Sequence, residues 1–204
     1  PNNIYFNVLN LQSFFGRTNF DVLNKYLFTF SLRADASSLF REDKRWGYFP
    51  AAAVAWKLKE ESFLADSKLI NDLKLRLSWG KTGQQDITGA VGFYPSSPLF
   101  DIAGATSQYL QGVSLYSARA FNPDLTWEKI TTLNLGAEVS LLNSRLDFVF
   151  DWYNRITSDM LGPTAQLPAT LGASLPQSNN AKLSTKGYEL TLAWNDRISE
   201  QVSY

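Results

Sequence analysis

The chain has 204 residues, with 19 basic and 19 acidic side chains and no histidine or cysteine. The even charge balance excludes a polybasic nucleic-acid-binding protein and an acidic disordered tail. The missing residue types exclude disulfides and thiolate metal sites and remove the commonest general base and metal ligand. We therefore expect neither an enzyme nor a bound cofactor or metal.

No segment of the sequence is suited to cross a membrane as a helix. Such a helix needs about 18 uninterrupted apolar residues, and charges such as Arg33, Arg76 and Glu138 interrupt every candidate. The sequence starts at Pro1 without a readable signal peptide, and from this we expect an amino end cut from a longer protein. If the chain crosses a membrane, it must do so as β-strands.

Alternation of apolar and polar side chains predicts seven long β-strands. Near the amino end, for example, Phe28 and Phe30 alternate with Thr29 and Ser31. In chain order the predicted strands are residues 11–22, 26–36, 50–59, 73–80, 132–141, 146–153 and 188–194, and an eighth begins near Ile198. Their length approaches the roughly ten residues that a tilted strand needs to cross a bilayer, whereas strands of soluble sandwiches usually have about five or six.

The connections between the predicted strands alternate between short and long. Short turns are predicted at residues 23–25, 143–144 and 195–197, and longer loops at residues 37–47, 83–125 and 157–183. The link at residues 60–72 is of intermediate length and has room for a brief helix. Outer-membrane barrels have short turns on the periplasmic side and long loops outside, so this alternation is typical of them.

Aromatic residues occur where this arrangement places the two membrane interfaces. Tyr26, Trp56 and Trp194 lie near short turns, and Tyr48, Trp79, Trp127, Trp152 and Tyr188 lie near long loops. Tyrosine and tryptophan suit an interface because an apolar ring carries a polar atom that can still reach water or headgroups. The pattern predicts two aromatic girdles around a barrel.

Together these features predict an all-β fold, an antiparallel transmembrane β-barrel segment of about 7–8 strands that is incomplete by itself. A soluble all-β carbohydrate-binding module is an alternative, in which the same aromatics would form an ordinary core. A passive porin-type barrel is a third possibility. The two barrel hypotheses differ in whether a plug closes the lumen.

Two motifs that could carry chemistry are better explained in other ways. Residues 80–82 are similar to the end of a phosphate-binding loop, but Leu75 stands where that motif needs its first glycine. Glu138, Asp147 and Asp151 could form the carboxylate pair of a glycoside hydrolase. Since alternate residues of a wet barrel interior are expected to be polar, we favour a place in the barrel wall for all three.

The long loops and the polar strand faces supply the candidate substrate-binding residues. Exposed aromatics in the 83–125 loop could stack on sugar faces or pack on a lid protein, although packing against the barrel rim is an equally simple role. The candidates are Tyr94, Phe100, Tyr109, Tyr116 and Phe121 in the loop, and Arg33, Asp35, Arg76, Glu138 and Asp151 on the strands.

Short motifs along nearly the whole chain resemble the SusC/RagA family of TonB-dependent outer-membrane transporters. The matching motifs are SFFGR at 13–17, NKY at 24–26, RADASSLF at 33–40, WGYFP at 46–50, ESFL at 61–64, LKLR at 73–76, SWGKTG at 78–83, NPDLTWEK at 122–129 and KGYEL at 186–190. Each motif is weak alone, but their order and spacing are specific. Ala36 and Gln84 depart from the family pattern, where glycine and asparagine are usual.

The resemblance implies a barrel of about 22 strands in the outer membrane of a Gram-negative bacterium, with a plug domain in its lumen. It also implies TonB-driven import of a large nutrient, a glycan or a peptide, with a SusD-like surface lipoprotein as partner. Residues 1–204 would form part of one barrel domain. The plug and the TonB box would lie upstream of Pro1, and further strands would follow Tyr204.

Overall fold

The computed structural model describes residues 8–86, 96, 121–162 and 177–196 with their side chains. It describes the backbone alone of residues 100–102, 108–109, 113–114, 116–118, 197–199 and 202–203.

Seven long antiparallel strands form a single sheet. They are β1 (Leu11–Val22), β2 (Tyr26–Ser37), β3 (Trp46–Lys57), β4 (Ile70–Gln84), β9 (Glu128–Leu141), β10 (Leu146–Gly162) and β11 (Ser178–Trp194), in the spatial order β1-β2-β3-β4-β9-β10-β11. A 3-10 helix (Leu58–Glu60) and a short helix α1 (Ser62–Ala65) occupy the link between β3 and β4. The predicted strands, their antiparallel order and the brief helix are confirmed.

Six short strands form three separate hairpins. Strand β5 (Phe100–Ile102) pairs with β8 (Tyr116–Ala118), and β6 (Gln108–Tyr109) pairs with β7 (Val113–Ser114), so the loop between β4 and β9 contains one hairpin nested inside another. Strand β12 (Arg197–Ser199) pairs with β13 (Val202–Ser203). The strand predicted near Ile198 therefore exists, but its described partner is β13, since the described part of β12 does not pair with the large sheet.

The strands extend further toward the long loops than alternation predicts. The predicted loop at residues 157–183 is wrong at both ends, because β10 continues to Gly162 and β11 already begins at Ser178. Beyond a bilayer both faces of a strand meet water, so apolar residues no longer alternate there. In this part of β11 polar residues occur on both faces, so the apolar–polar alternation that predicts a strand is missing.

One face of the large sheet is apolar, and no second layer covers it within the part of the chain that the structure describes. Phe30 is 47% exposed, Leu77 46% and Leu135 45%, although all three lie in the middle of their strands. A soluble sandwich would bury such residues against another layer. The uncovered apolar face agrees with a barrel wall against lipid. The described residues of the large sheet do not form the packed layers that the soluble-module alternative expects.

No helix among the described residues is long and apolar enough to span a membrane.

A small hydrophobic core lies at the long-loop end, where β3 and β4 separate. Their pairing stops at Ala51 and Gly80. The core above that point consists of Leu39, Phe40, Phe49, Leu125 and Trp127, with Leu161 packed against it. The aromatic rings lie 5.4 Å (Phe40) and 5.5 Å (Phe49) from the Trp127 ring. This core joins the β2–β3 loop to the segment that precedes β9.

Three of the predicted girdle aromatics lie elsewhere than expected. Trp127 is only 4% exposed, and its indole Nε1 donates a hydrogen bond to the carbonyl of Arg45 at 3.0 Å. Trp152 and Tyr188 pair with each other in the middle of their strands, in register with Leu135 and Leu77. The other five lie in strands toward the expected ends, for example the stacked pair Tyr26 and Trp56 with ring centroids 6.1 Å apart. Trp127 precedes β9, and the gap between β3 and β4 gives it a buried position that the sequence pattern did not indicate.

Candidate functional site: the polar face of the sheet

The polar face of the sheet carries the charged candidate residues together. Alternation along each strand and the pairing register place them opposite to the apolar face that contains Phe30 and Leu77. The candidates on this face are Arg33, Asp35, Arg76, Glu138 and Asp151. The structure therefore brings all five strand candidates to one side of the sheet, in two groups.

The first group is an ion-pair network across three neighbouring strands. Nη2 of Arg76 on β4 lies 3.0 Å from Oδ2 and 3.1 Å from Oδ1 of Asp151 on β10. Nε of Arg76 also lies 3.1 Å from Oε1 of Glu138 on β9, but at an angle too poor for a hydrogen bond. Lys74 forms a second ion pair with Glu138. The four side chains are roughly one quarter to two fifths exposed, so solvent reaches the network.

Gly136 makes this network possible. It lies directly opposite both Arg76 and Asp151 in the register of β4, β9 and β10. A Cβ atom at Gly136 would lie 3.0 Å from Nη2 and 3.1 Å from Nε of Arg76. The absence of a side chain therefore lets the arginine cross β9 and reach the carboxylate on the far strand.

The second group consists of Arg33 and Asp35 on β2. Nε of Arg33 donates to Oδ2 of Asp35 at 2.7 Å, and Nη2 of Arg33 approaches Oγ of Ser13 on β1 at 3.4 Å. Arg33 is 59% exposed at its side chain. Its guanidinium thus keeps donors available for a further partner on this face.

The carboxylates of the glycoside-hydrolase hypothesis have other partners on this face. Glu138 and Asp151 both lie beside the guanidinium of Arg76. Asp147, the third carboxylate of that hypothesis, accepts a long contact of 3.4 Å from Asn195. Among the described residues no cluster of carboxylates could hold a metal ion. The polar face therefore presents paired hydrogen-bond donors and acceptors that are exposed to solvent.

The loop candidates lie largely outside the residues described with side chains. Tyr94 is outside the described residues altogether. Phe100, Tyr109 and Tyr116 are described only in their backbone, as members of β5, β6 and β8. Phe121 is 40% exposed and precedes the buried core around Trp127.

Asn179 on β11 clamps the segment before β9, a contact that sequence reasoning missed. Its Oδ1 accepts from the backbone N–H of Thr126 at 3.0 Å, and its Nδ2 donates to the carbonyls of Thr126 at 3.0 Å and Asp159 at 2.6 Å. The carboxylate of Glu128 accepts from the backbone of Leu161 at 2.9 Å. The NPDLTWEK motif is thereby tied to the outer ends of β10 and β11.

Glu61 forms a second clasp at the short-turn end. Its carboxylate accepts hydrogen bonds from the hydroxyl of Tyr26 at 2.7 Å, the indole of Trp56 at 3.1 Å and the ammonium of Lys25 at 3.0 Å. These donors stabilise the ionised form and lower the pKa of Glu61 to about 2. The ESFL motif included Glu61 but did not indicate these partners. The clasp fixes the β3–β4 link to the β1–β2 turn.

Comparison with known proteins places this sheet among the barrels of TonB-dependent receptors. The family model described as "TonB dependent receptor-like, beta-barrel" matches residues 1–204. The "TonB-dependent receptor SusC" of Bacteroides thetaiotaomicron is 42% identical over 202 residues, which cover 91% of this chain and 20% of that protein. The "TonB-dependent receptor P3" of Formosa agariphila is 37% identical over 188 residues, which cover 92% of this chain and 18% of that protein.

Solved structures give the same result. The chain matches the RagAB peptide importer in its "open-open" state with a TM-score of 0.82 and 27% identity, over 94% of this chain and 20% of that one. The siderophore receptor PirA of Pseudomonas aeruginosa matches with a TM-score of 0.59 and 16% identity, over 96% of this chain and 32% of that one, and shares the fold alone. The chain spans about a fifth of the length of SusC and RagAB.

Proposed function

The chain belongs to the TonB-dependent receptor-like β-barrel family, and on that basis we propose that its parent protein imports a large nutrient across the outer membrane. Import would be driven through TonB and assisted by a SusD-like surface lipoprotein. The present segment would supply barrel wall and extracellular loops, while a plug domain closes the lumen. The cargo class would be a glycan or a peptide.

The contrast between the apolar and the polar face of the sheet supports this proposal. Phe30, Leu77 and Leu135 expose apolar side chains on one face, where a lipid tail is the suitable neighbour. The opposite face carries the Arg76 network, which suits a wet interior. A wall with one lipid face and one water face is what a transporter barrel requires.

The similar proteins support the transport role and, of the two cargo classes, the peptide. Both SusC and P3 are described as TonB-dependent receptors, and RagAB is described as a peptide importer. The motifs shared with the SusC/RagA family support a SusD-like partner for this chain. A glycan and a peptide both present hydrogen-bonding groups to a polar wall, so the paired charges of the polar face suit either cargo.

Within the parent protein, we assign capture of cargo to the charged polar face and the loop aromatics. Arg33, Asp35 and the Arg76 network would hydrogen-bond the cargo as it passes, and the aromatic residues of the loop between β4 and β9 would stack on it. The clamp at Asn179 would give that loop a fixed base. No covalent step is assigned to any of these residues.

Uptake by the native host tests the proposal. The gene for the full-length receptor is deleted, and accumulation of fluorescently labelled oligosaccharide and peptide mixtures is compared with that of the parent strain. Loss of uptake of one class, restored by the intact gene but not by an intact gene in a TonB-deficient strain, is expected. Uptake that persists without TonB would favour the passive porin-type barrel and overturn energy-coupled import.

A further inference from the structure

Two outward-facing aromatic residues of the sheet each have a lysine as their next outward neighbour. The aromatic residues are Trp79 on β4 and Tyr188 on β11, both exposed on the apolar face. The next outward-facing residue toward the loops is a lysine on each strand, Lys81 after Trp79 and Lys186 before Tyr188. Both strands therefore carry a lysine on the long-loop side of an outward-facing aromatic residue, with Lys186 level with Trp79 in the pairing register.

The pairing register shows that both lysines share the apolar face. Trp79, Leu133, Asn154 and Lys186 stand in register across β4, β9, β10 and β11. Nζ of Lys81 lies 5.8 Å from the centroid of the Trp79 ring, which places it on the same side. Neither Lys81 nor Lys186 makes an ion pair with a described residue, whereas Lys129 nearby is paired with Asp159 at 2.9 Å.

The two lysines are separated by three strand spacings, or about 14 Å across the sheet, and by a further two residues, or about 7 Å, along the strands. Thr131 and Asn154 lie on this face between them and add a hydroxyl and an amide. A lysine on such a face can lay its aliphatic stem on the apolar surface and extend its ammonium group toward the headgroup layer. Two such cations favour a ligand with two anionic groups on a broad, polar headgroup.

We propose that Lys81 and Lys186 bind the phosphorylated headgroup of a glycolipid in the outer leaflet, with its acyl chains on the apolar face below them. This proposal rests on the outer-membrane location proposed above. The groove that would receive a chain lies on the same face and is lined by Val54, Trp56, Leu75, Leu77, Ala137 and Phe150. Its small floor residue, Ala137, stands in register between Leu75 and Phe150. The site thus joins an apolar trough to two lysines on the long-loop side of it.

Native mass spectrometry of the purified full-length receptor tests the site, with bis-phosphorylated lipid A as the probe. The double variant Lys81→Glu and Lys186→Glu should bind the probe at least about tenfold more weakly, because each cation near an anionic surface contributes measurably. The matched control is Lys68→Glu, an exposed lysine between α1 and β4 at the opposite end of the strands. Lys68→Glu should bind like the wild type.

Two further binding measurements identify the ligand. Lipid A without its phosphates should bind the wild type about as weakly as bis-phosphorylated lipid A binds the double variant, and excess inorganic phosphate should not displace lipid A. Equal binding of the dephosphorylated probe, displacement by inorganic phosphate, or an equal loss in Lys68→Glu would each overturn the proposal. Uptake of cargo separates the two hypotheses. TonB-dependent uptake together with lipid binding that the double variant loses supports both. Lipid binding that the double variant retains defeats the lysine site alone, and TonB-independent uptake defeats the proposed function alone.

Discussion

Arg76 reaches Asp151 across an intervening strand, with Nη2 of the arginine 3.0 Å from Oδ2 of the aspartate. The two residues are 75 positions apart in the chain and meet only because Gly136 lies between them on β9. A charged group on the polar face is thus held by the pairing of three strands. The position of the Arg76 guanidinium depends on a glycine, whose missing side chain leaves room for it.

Replacement of Gly136 by valine should break this arrangement. The new side chain would enter the space of the Arg76 guanidinium, and overpacking of this kind costs about 1–3 kcal/mol. Urea unfolding of the full-length receptor in detergent micelles measures the change. Ala137→Val is the matched control, since the neighbouring side chain projects into the outward groove and should alter stability far less. Equal effects at both positions would contradict the role of Gly136.

Arginine placed on the apolar face should hinder insertion into a bilayer. The suitable sites are Phe30, Leu77, Leu135 and Phe150, all partly exposed on that face. A charge near mid-bilayer costs about 2–4 kcal/mol, because it loses its hydration. Insertion into lipid vesicles, followed by protease protection, measures the effect. Arginine at Ser31 or Ser78 on the polar face should be milder, and equal tolerance of both sets would contradict the assignment of faces.

The Glu61 clasp should make stability depend on pH in the acid range. The folded-state pKa of Glu61, about 2, is below its ordinary value of 4.5. A carboxyl group with a lowered pKa contributes stability that is present above about pH 4.5 and is lost as the pH falls toward 2. Glu61→Gln should therefore be less stable than the wild type at pH 7, and the difference should shrink below pH 4.5.

The control for this prediction is Glu60→Gln, one residue away and exposed. Unfolding midpoints of the three proteins in detergent micelles are compared between pH 7 and pH 3. Glu60→Gln should follow the wild type throughout. A difference between Glu61→Gln and the wild type that stays constant with pH would show that the clasp acts through shape and not through charge.

Sequence reasoning succeeded where one strand face meets lipid and the other water, as at Phe30 and Ser31. It also placed Arg76, Glu138 and Asp151 on one face, because alternation alone decides that. It could not pair Arg76 with Asp151, since the partner depends on the register of three strands. Nor could it place Trp127 in a buried core, because that site arises from the separation of β3 and β4. Local patterns report the environment of a residue but not its distant neighbours.

The clamp at Asn179 gives the sharpest test of how the long loops are fixed. Its amide donates to the carbonyls of Thr126 and Asp159 while its oxygen accepts from the Thr126 backbone. Asn179→Asp keeps the acceptor but directs a carboxylate at two carbonyl oxygens, so we expect a loss of about 1–3 kcal/mol. Asn179→Ala removes the contacts without this repulsion and should cost less. Hydrogen exchange should accelerate at Thr126 and Trp127 in both variants, more in Asn179→Asp, while the Glu61 clasp at the opposite end stays protected. Faster exchange at both ends would instead indicate global destabilisation, and unchanged exchange at Thr126 would show that the buried core around Trp127 holds this segment without the clamp.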